Sequence, residues 1–321
     1  MTRGPSRRRM LTCGALGIGA AVVKGCADTM TRPARNPSLA PASASPVSVS
    51  LSSRLKLHMI QTGWVAVKAE HRAYSGAVSL RIPAIMASTR WTEWMPITAF
   101  VIEHPEGVIV IDTGETARIA DPTYTACDAI TGLLYRRNLQ FSLKQEDEIG
   151  PQMPRLGIRP EKVEKVVMTH LHSDHMGGMA AFNRARFYVS EAAQSGHAGA
   201  LMCRLPEGVN FAPVTYADRA AGVFPHSTAL TLDGAISIIP TPGHAAGHQS
   251  VLIKEKEKTV CIVGDAAFSL AQIQHVEIGG IVENHADAVR STKMLRRQYQ
   301  TFGTIMLPTH DPENSVRLAG L

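Results

Sequence analysis

Between positions 170 and 175 the chain reads His170-Leu171-His172-Ser173-Asp174-His175, directly after the short β-rich run Val163 to Met168. Three imidazoles and a carboxylate within six residues constrain the fold more than any other feature. In extended backbone, residues two apart point to the same side, so His170 and His172 can reach one ion. Asp174 and His175 follow where the chain must turn, and Gly177-Gly178 permits a tight path. These two can face a second ion from the other side. Histidine and carboxylate ligands suit Zn2+, and also Mn2+, Fe2+ or Co2+.

Such a cluster needs partners from elsewhere, and strand ends supply them. The strand-like run Ala235 to Pro240 ends at Thr241-Pro242-Gly243-His244. Ser250 to Lys254 and Thr259 to Val263 form a hairpin across the charged turn 255–258, and the second strand ends at Gly264-Asp265. A last strand, Thr304 to Leu307, runs into Pro308-Thr309-His310-Asp311. Earlier, Ile97 to Glu103 and Val108 to Asp112 are joined by His104-Pro105-Glu106-Gly107, a hairpin signal. That hairpin closes at Asp112-Thr113-Gly114. Leu55 to Ile60 alternates as a strand does. Ala286 to Tyr299 is an amphipathic helix, and the irregular helical stretch from Ala117 to Gly157 suits a cap over a site. Strands in both halves with helices between them indicate α/β layers.

The net charge of +6 looks basic until it is located. Seven of the 33 basic residues lie in positions 1–35 against the single acid Asp28, leaving 26 of each sign in the remainder. No nucleic-acid footprint is left. The leader itself reads as an export signal, residues 1–26. Arg7-Arg8-Arg9 runs into an apolar stretch, Met10 to Val23, too short for a stable membrane anchor. It is similar to a twin-arginine signal. Val23-Lys24-Gly25-Cys26 is similar to a lipoprotein box, which would tether the protein to a membrane through lipidated Cys26. Either route places the protein in the periplasm or at the cell envelope. Residues 27–53, rich in Ser, Ala and Pro, read as a flexible tether, and 54–321 as the folded domain. Cys127, Cys203 and Cys261 have neither CxxC spacing nor a dense framework, so a cysteine zinc site is not expected. Cys261 lies in an apolar run and reads as a core thiol.

The run His170-x-His172-x-Asp174-His175, followed by His244, Asp265 and His310, resembles the signature of the metallo-β-lactamase superfamily. The resemblance implies a four-layer αβ/βα sandwich with two zinc ions at one edge. It implies that His170, His172 and His244 bind one ion, that Asp174, His175 and His310 bind the other, and that Asp265 bridges them. Asp112 would support the site from behind, and His248 is read as a packed or supporting residue. The segment 241–250, Thr-Pro-Gly-His-Ala-Ala-Gly-His-Gln-Ser, is similar to one in N-acyl homoserine lactonases. Those enzymes commonly carry a tyrosine where this chain has Phe268, whose ring cannot donate a hydrogen bond to a lactone carbonyl.

Two such ions bring the pKa of a shared water toward neutrality and make hydroxide available as the nucleophile. Asp174 is the expected catalytic residue, orienting that nucleophile and passing a proton to the leaving oxygen. The expected substrate is a small ester or lactone, foremost an N-acyl homoserine lactone. The alternatives within the same fold are a glyoxalase-II-like thioesterase, an aryl-ester or organophosphate hydrolase, and a β-lactamase. Neither a Gly-x-Ser-x-Gly elbow nor a P-loop is present. A flavo-diiron protein would need an acidic ligand in the first motif, where His172 stands. Trp91, Trp94 and Met95 read as core residues that compete for a place in an acyl pocket. His58, His71, His104, His197, His226, His275 and His285 have no partner spacing and read as surface or core.

Overall fold

Period-two burial organises the fold. The structure, a computed structural model, describes residues 39–321. The expected export signal with Cys26 and the first part of the expected tether lie outside the described residues. Val47–Ser50 (β1), Lys56–Val67 (β2), Met95–His104 (β3) and Gly107–Ile111 (β4) pair antiparallel, neighbour to neighbour. Leu139–Ser142 (β5) pairs with the far end of β2. Lys165–Val167 (β6), Arg186–Ser190 (β7) and Phe211–Val214 (β8) continue the sheet from β4 in parallel. A second sheet holds Thr228–Ala229 (β9), Ile236–Pro240 (β10), Gln249–Glu255 (β11), Lys258–Gly264 (β12) and Ile305–Pro308 (β13). Its pairs are antiparallel except β12 with β13.

Alternate residues on these strands face different layers. Phe100, Ile102, Ile109 and Ile111 of the first sheet meet Ile236, Ile238, Val251, Ile253 and Ile262 of the second in a central core. Their neighbours Ala99, Val101, Val110 and Val166 turn outward against Ile149, Met153 and Phe182. On the far side, Ile239, Leu252, Cys261 and Val263 pack with Leu295 of the helix His285–Phe302. Helix, sheet, sheet and helix make the four-layer αβ/βα sandwich. Cys261 is buried, and burial pushes its thiol up to about 12.

Three features depart from the sequence reading. β1 lies inside the stretch 27–53 read as tether: Val47 and Val49 pack on the central core, and Ser48 Oγ meets His58 Nδ1 at 2.7 Å. The folded part therefore begins before Arg54. β2 runs twelve residues because its second half is buried on both faces, which erases the alternation. Cys127 and Cys203, which carry no pairing signal, form a disulfide across 76 residues. The stretch from Ala117 to Gly157 breaks into short pieces, of which Ala129–Asn138 is the longest helix; Asp128 caps it through the backbone N–H groups of Ile130 and Thr131.

Candidate metal centre

Every residue of the expected ligand set follows a strand end or the turn beyond it, and all converge at one edge of the sandwich. β6 leads into His170 and His172, and a single helical turn, Ser173–Met176, carries Asp174 and His175. From the second sheet, β10 leads to His244, β12 to Asp265 and β13 to His310. Gly264, at φ +64°, admits the chain where a Cβ would lie 2.7 Å from His248 Nε2 and 2.8 Å from Thr169 Cβ.

Two triads result. His170 Nε2 lies 2.8 Å from His172 Nδ1, which lies 3.0 Å from His244 Nε2. Asp174, His175 and His310 form the second triad, with His310 Nε2 3.4 Å from Asp174 Oδ2. Asp265 stands between them: its Oδ1 is 3.4 Å from His175 Nε2, and its Oδ2 is 3.6 Å from His244 Nε2 and 3.3 Å from His310 Nε2.

The far side of each imidazole is held, which fixes the ring and turns the other nitrogen inward. His170 Nδ1 meets Thr169 Oγ1 at 3.1 Å, His172 Nε2 donates to Ala198 O at 3.0 Å, and His244 Nδ1 to Ile281 O at 3.0 Å. His175 Nδ1 donates to Asp112 Oδ2 at 2.8 Å, and His310 Nδ1 to Pro96 O at 2.8 Å. Asp112 also accepts from the Thr169 N–H at 2.7 Å and the Thr169 hydroxyl at 2.8 Å. His248 is tied on both nitrogens, to Thr241 Oγ1 at 3.0 Å and to the Asp265 N–H at 3.0 Å. It holds Asp265 and lies behind the triads.

These donors fit a pair of divalent cations. Inside the cluster, His175 Nε2 and Asp265 Oδ1 are buried with no hydrogen-bond partner, an uncommon state for polar atoms in a core. Burial, then the neighbouring imidazoles, hold His170 and His172 well below the usual histidine range, so their lone pairs are free. Burial pulls the same way on His310, but the Asp265 and Asp174 carboxylates overcome it and push the ring up to about 10. Burial works against ionised Asp265, yet His310 and His175 hold its carboxyl well below the usual range. Neutral imidazoles beside buried carboxylates that demand positive charge are the donor set of a metal site.

The triads open into a cavity of about 350 Å³. Phe268 lies at its base, 5.4 Å from the His310 ring and 5.9 Å from that of His244, centroid to centroid. Of Trp91, Trp94 and Met95, Met95 lines the cavity; Trp91 is buried under Lys68, whose Nζ sits 3.9 Å from the ring centroid. The helix Ala129–Asn138 contributes Thr131, Leu134, Tyr135 and Asn138, so the irregular stretch does cover the site.

Sequence reasoning missed several residues here. His71 lines the cavity, its ring centroid 6.3 Å from that of Phe268, and burial lowers it to about 4 against the pull of Asp174 and Asp265. His197 Nε2 accepts from the Leu171 N–H at 3.0 Å and props the first motif. Glu283 accepts from the N–H groups of Ala198 and Ala246, joining the loops behind His172 and His244. None of the three stands at a spacing that marks it, because each reaches the site from a separate loop.

The metallo-beta-lactamase superfamily pattern matches residues 92–300. The chain belongs to that superfamily. Among curated proteins it is 29% identical over 241 residues to the N-acyl homoserine lactonase AttM of Azorhizobium caulinodans, covering 68% of this chain and 83% of that protein. It is 28% identical over 186 residues to the N-acyl homoserine lactonase of Bacillus cereus, covering 54% and 65%. Among solved structures, an N-acyl homoserine lactone hydrolase with N-hexanoyl-L-homoserine at its catalytic metal centre superposes with a TM-score of 0.66 at 18% identity, over 83% of this chain and 96% of that one. The dizinc quorum-quenching lactonase AidC superposes with a TM-score of 0.56 at 15% identity, over 84% and 91%. Those two likenesses concern the fold.

Proposed function

We propose that the protein is a dizinc hydrolase that opens the lactone ring of N-acyl homoserine lactones, a quorum-quenching activity. One observation carries the reading: two ligand triads sharing Asp265 at the base of a cavity whose walls are mostly apolar. The lactonase relatives support it. In this reading His170, His172 and His244 would hold one zinc ion and Asp174, His175 and His310 the other, with Asp265 standing between the two triads. Bound there, the pair supplies Lewis acidity to the ester carbonyl and acidifies a water.

The chain's own residues do the rest. Asp174 lines the cavity and is the one ligand carboxylate of the first motif; its carboxylate orients the attacking water, takes its proton and returns it to the leaving alkoxide. Asp112 and His248 hold His175 and Asp265 in place. Phe268 offers an apolar face beside His244 and His310 and has no hydrogen bond to donate to a substrate carbonyl. That same absence favours, as second reading, a thioester, aryl-ester, phosphotriester or β-lactam substrate. We read the protein as exported to the periplasm or held at the envelope through Cys26. The Cys127–Cys203 disulfide supports an oxidising compartment.

The test is hydrolysis of N-hexanoyl and N-decanoyl homoserine lactone by zinc-loaded protein, followed by proton release. Chelator-sensitive ring opening is expected. No turnover by protein shown to hold two zinc ions would refute the lactone reading and move the assignment to the second group of substrates.

A further inference from the structure

One wall of the cavity carries a cation that no carboxylate among the described residues neutralises. Arg81 lines it among Ile82, Ile85, Met86 and Leu134. Its Nη2 donates to Val282 O at 2.6 Å, while Nε and Nη1 are buried without a partner. Among the described residues it makes no ion pair, and burial alone shifts it, downward. The cavity's carboxylates are otherwise engaged: Asp174 and Asp265 belong to the triads, and Glu283 accepts from Ala198 and Ala246. Val282 follows Ile281, whose carbonyl takes the outward nitrogen of His244, so Arg81 is anchored beyond the triads and not among them. An unpaired guanidinium in an apolar wall is unfavourable by itself. Its free donors are a fork suited to an oxygen acceptor.

We propose that Arg81 is a specificity-determining residue that reads a carbonyl oxygen of the substrate's acyl group, at a distance from the ester that is cleaved. A neutral acceptor fits better than an anion, because the wall around Arg81 is aliphatic and burying a second charge there would add its own desolvation cost. The aliphatic side chains around Arg81 take the chain that continues beyond the carbonyl. The substrate class is thus an acyl chain with an amide or β-keto oxygen, joined to a hydrolysable ring. The inference rests on the lactone reading for its scissile group alone.

The experiment uses zinc-loaded wild type and Arg81→Met, with Arg81→Lys as the conservative variant. Hydrolysis of N-hexanoyl homoserine lactone is compared with that of γ-decanolactone, which has a chain but no amide. In Arg81→Met the ratio of kcat/KM for amide-bearing over amide-free lactone should fall about 10- to 100-fold, the usual worth of a charge-assisted hydrogen bond. The fall should lie in KM, with Arg81→Lys in between. Equal losses on both lactones, or none, overturn the proposal. A second measurement removes the ester: calorimetric binding of N-cyclopentylhexanamide should weaken by a similar factor in Arg81→Met. Undetectable binding to wild type, or equal binding to both, overturns Arg81 whatever the lactone assay gives. Arg81-dependent amide binding without lactone turnover would instead overturn the lactone reading and leave Arg81 standing.

Discussion

Asp112→Asn keeps the shape of a buried side chain and removes one acceptor. In the native protein one carboxylate oxygen faces the Thr169 N–H at 2.7 Å, and the other faces the Thr169 hydroxyl and His175 Nδ1, both at 2.8 Å. A backbone N–H cannot turn away, so the amide oxygen of the substituted side chain stays opposite it. The amide NH2 then faces the other two groups. The hydroxyl can rotate to accept; His175 can accept only by moving its proton from Nδ1 to Nε2. Nε2 is the nitrogen turned toward Asp265, at 3.4 Å, and its lone pair is the one a metal needs. Loss of such a support weakens metal binding about 10- to 100-fold, or about 1.4–2.7 kcal/mol. Competition with a chromophoric chelator, resolving the two sites, measures it. The Asp174/His175/His310 site should weaken by that factor, and the His170/His172/His244 site should stay within about threefold. Equal affinity at both sites to wild type, or weakening confined to the first triad, would refute the tautomer argument.

Two further outcomes follow from features away from the metals. Removing the disulfide by Cys127→Ser should destabilise the fold by about 2–5 kcal/mol, given the long loop it closes; an unchanged melting temperature by calorimetry would show that the bridge constrains nothing. Asp233 is held down to about 2, first by the Ala235 N–H and then by Thr231 and His104. Its folded value lies below the ordinary 3.8, so its contribution is full above that pH and is lost as pH falls through about 2. Asp233→Asn should therefore flatten the loss of stability between about pH 4 and 2 in urea titrations, and an unchanged slope would rule the group out.

Much of the centre was legible because its ligands stand at strand ends, and strand ends announce themselves by the passage from β-rich runs to Gly, Pro and Thr. His244 after Thr241-Pro242-Gly243 and Asp265 after Gly264 could be found in this way. The layers were legible for the same reason: Val251 and Ile253 face one core while Leu252 faces another. What escaped was long-range. Cys127 finds Cys203 through the fold, not through spacing. His71, Arg81 and Glu283 acquire their meaning from the cavity they line. β1 was lost to a Ser- and Pro-rich composition that hid two alternating valines, Val47 and Val49.

The ligand-bearing loops come from both sheets, and this has a mechanical consequence. Apolar contact between two sheets is non-directional. The bonds at the site edge are directional and cross the interface: His310 Nδ1 to Pro96 O at 2.8 Å, and Thr98 Oγ1 to Thr309 O at 2.6 Å. The reaction centre is thus also a clasp that sets how the two halves register. The cavity wall hangs from other segments, the helix Ala129–Asn138 and the residues around Arg81. Its shape can drift without unfastening the clasp, which leaves substrate choice free to change while the chemistry stays put.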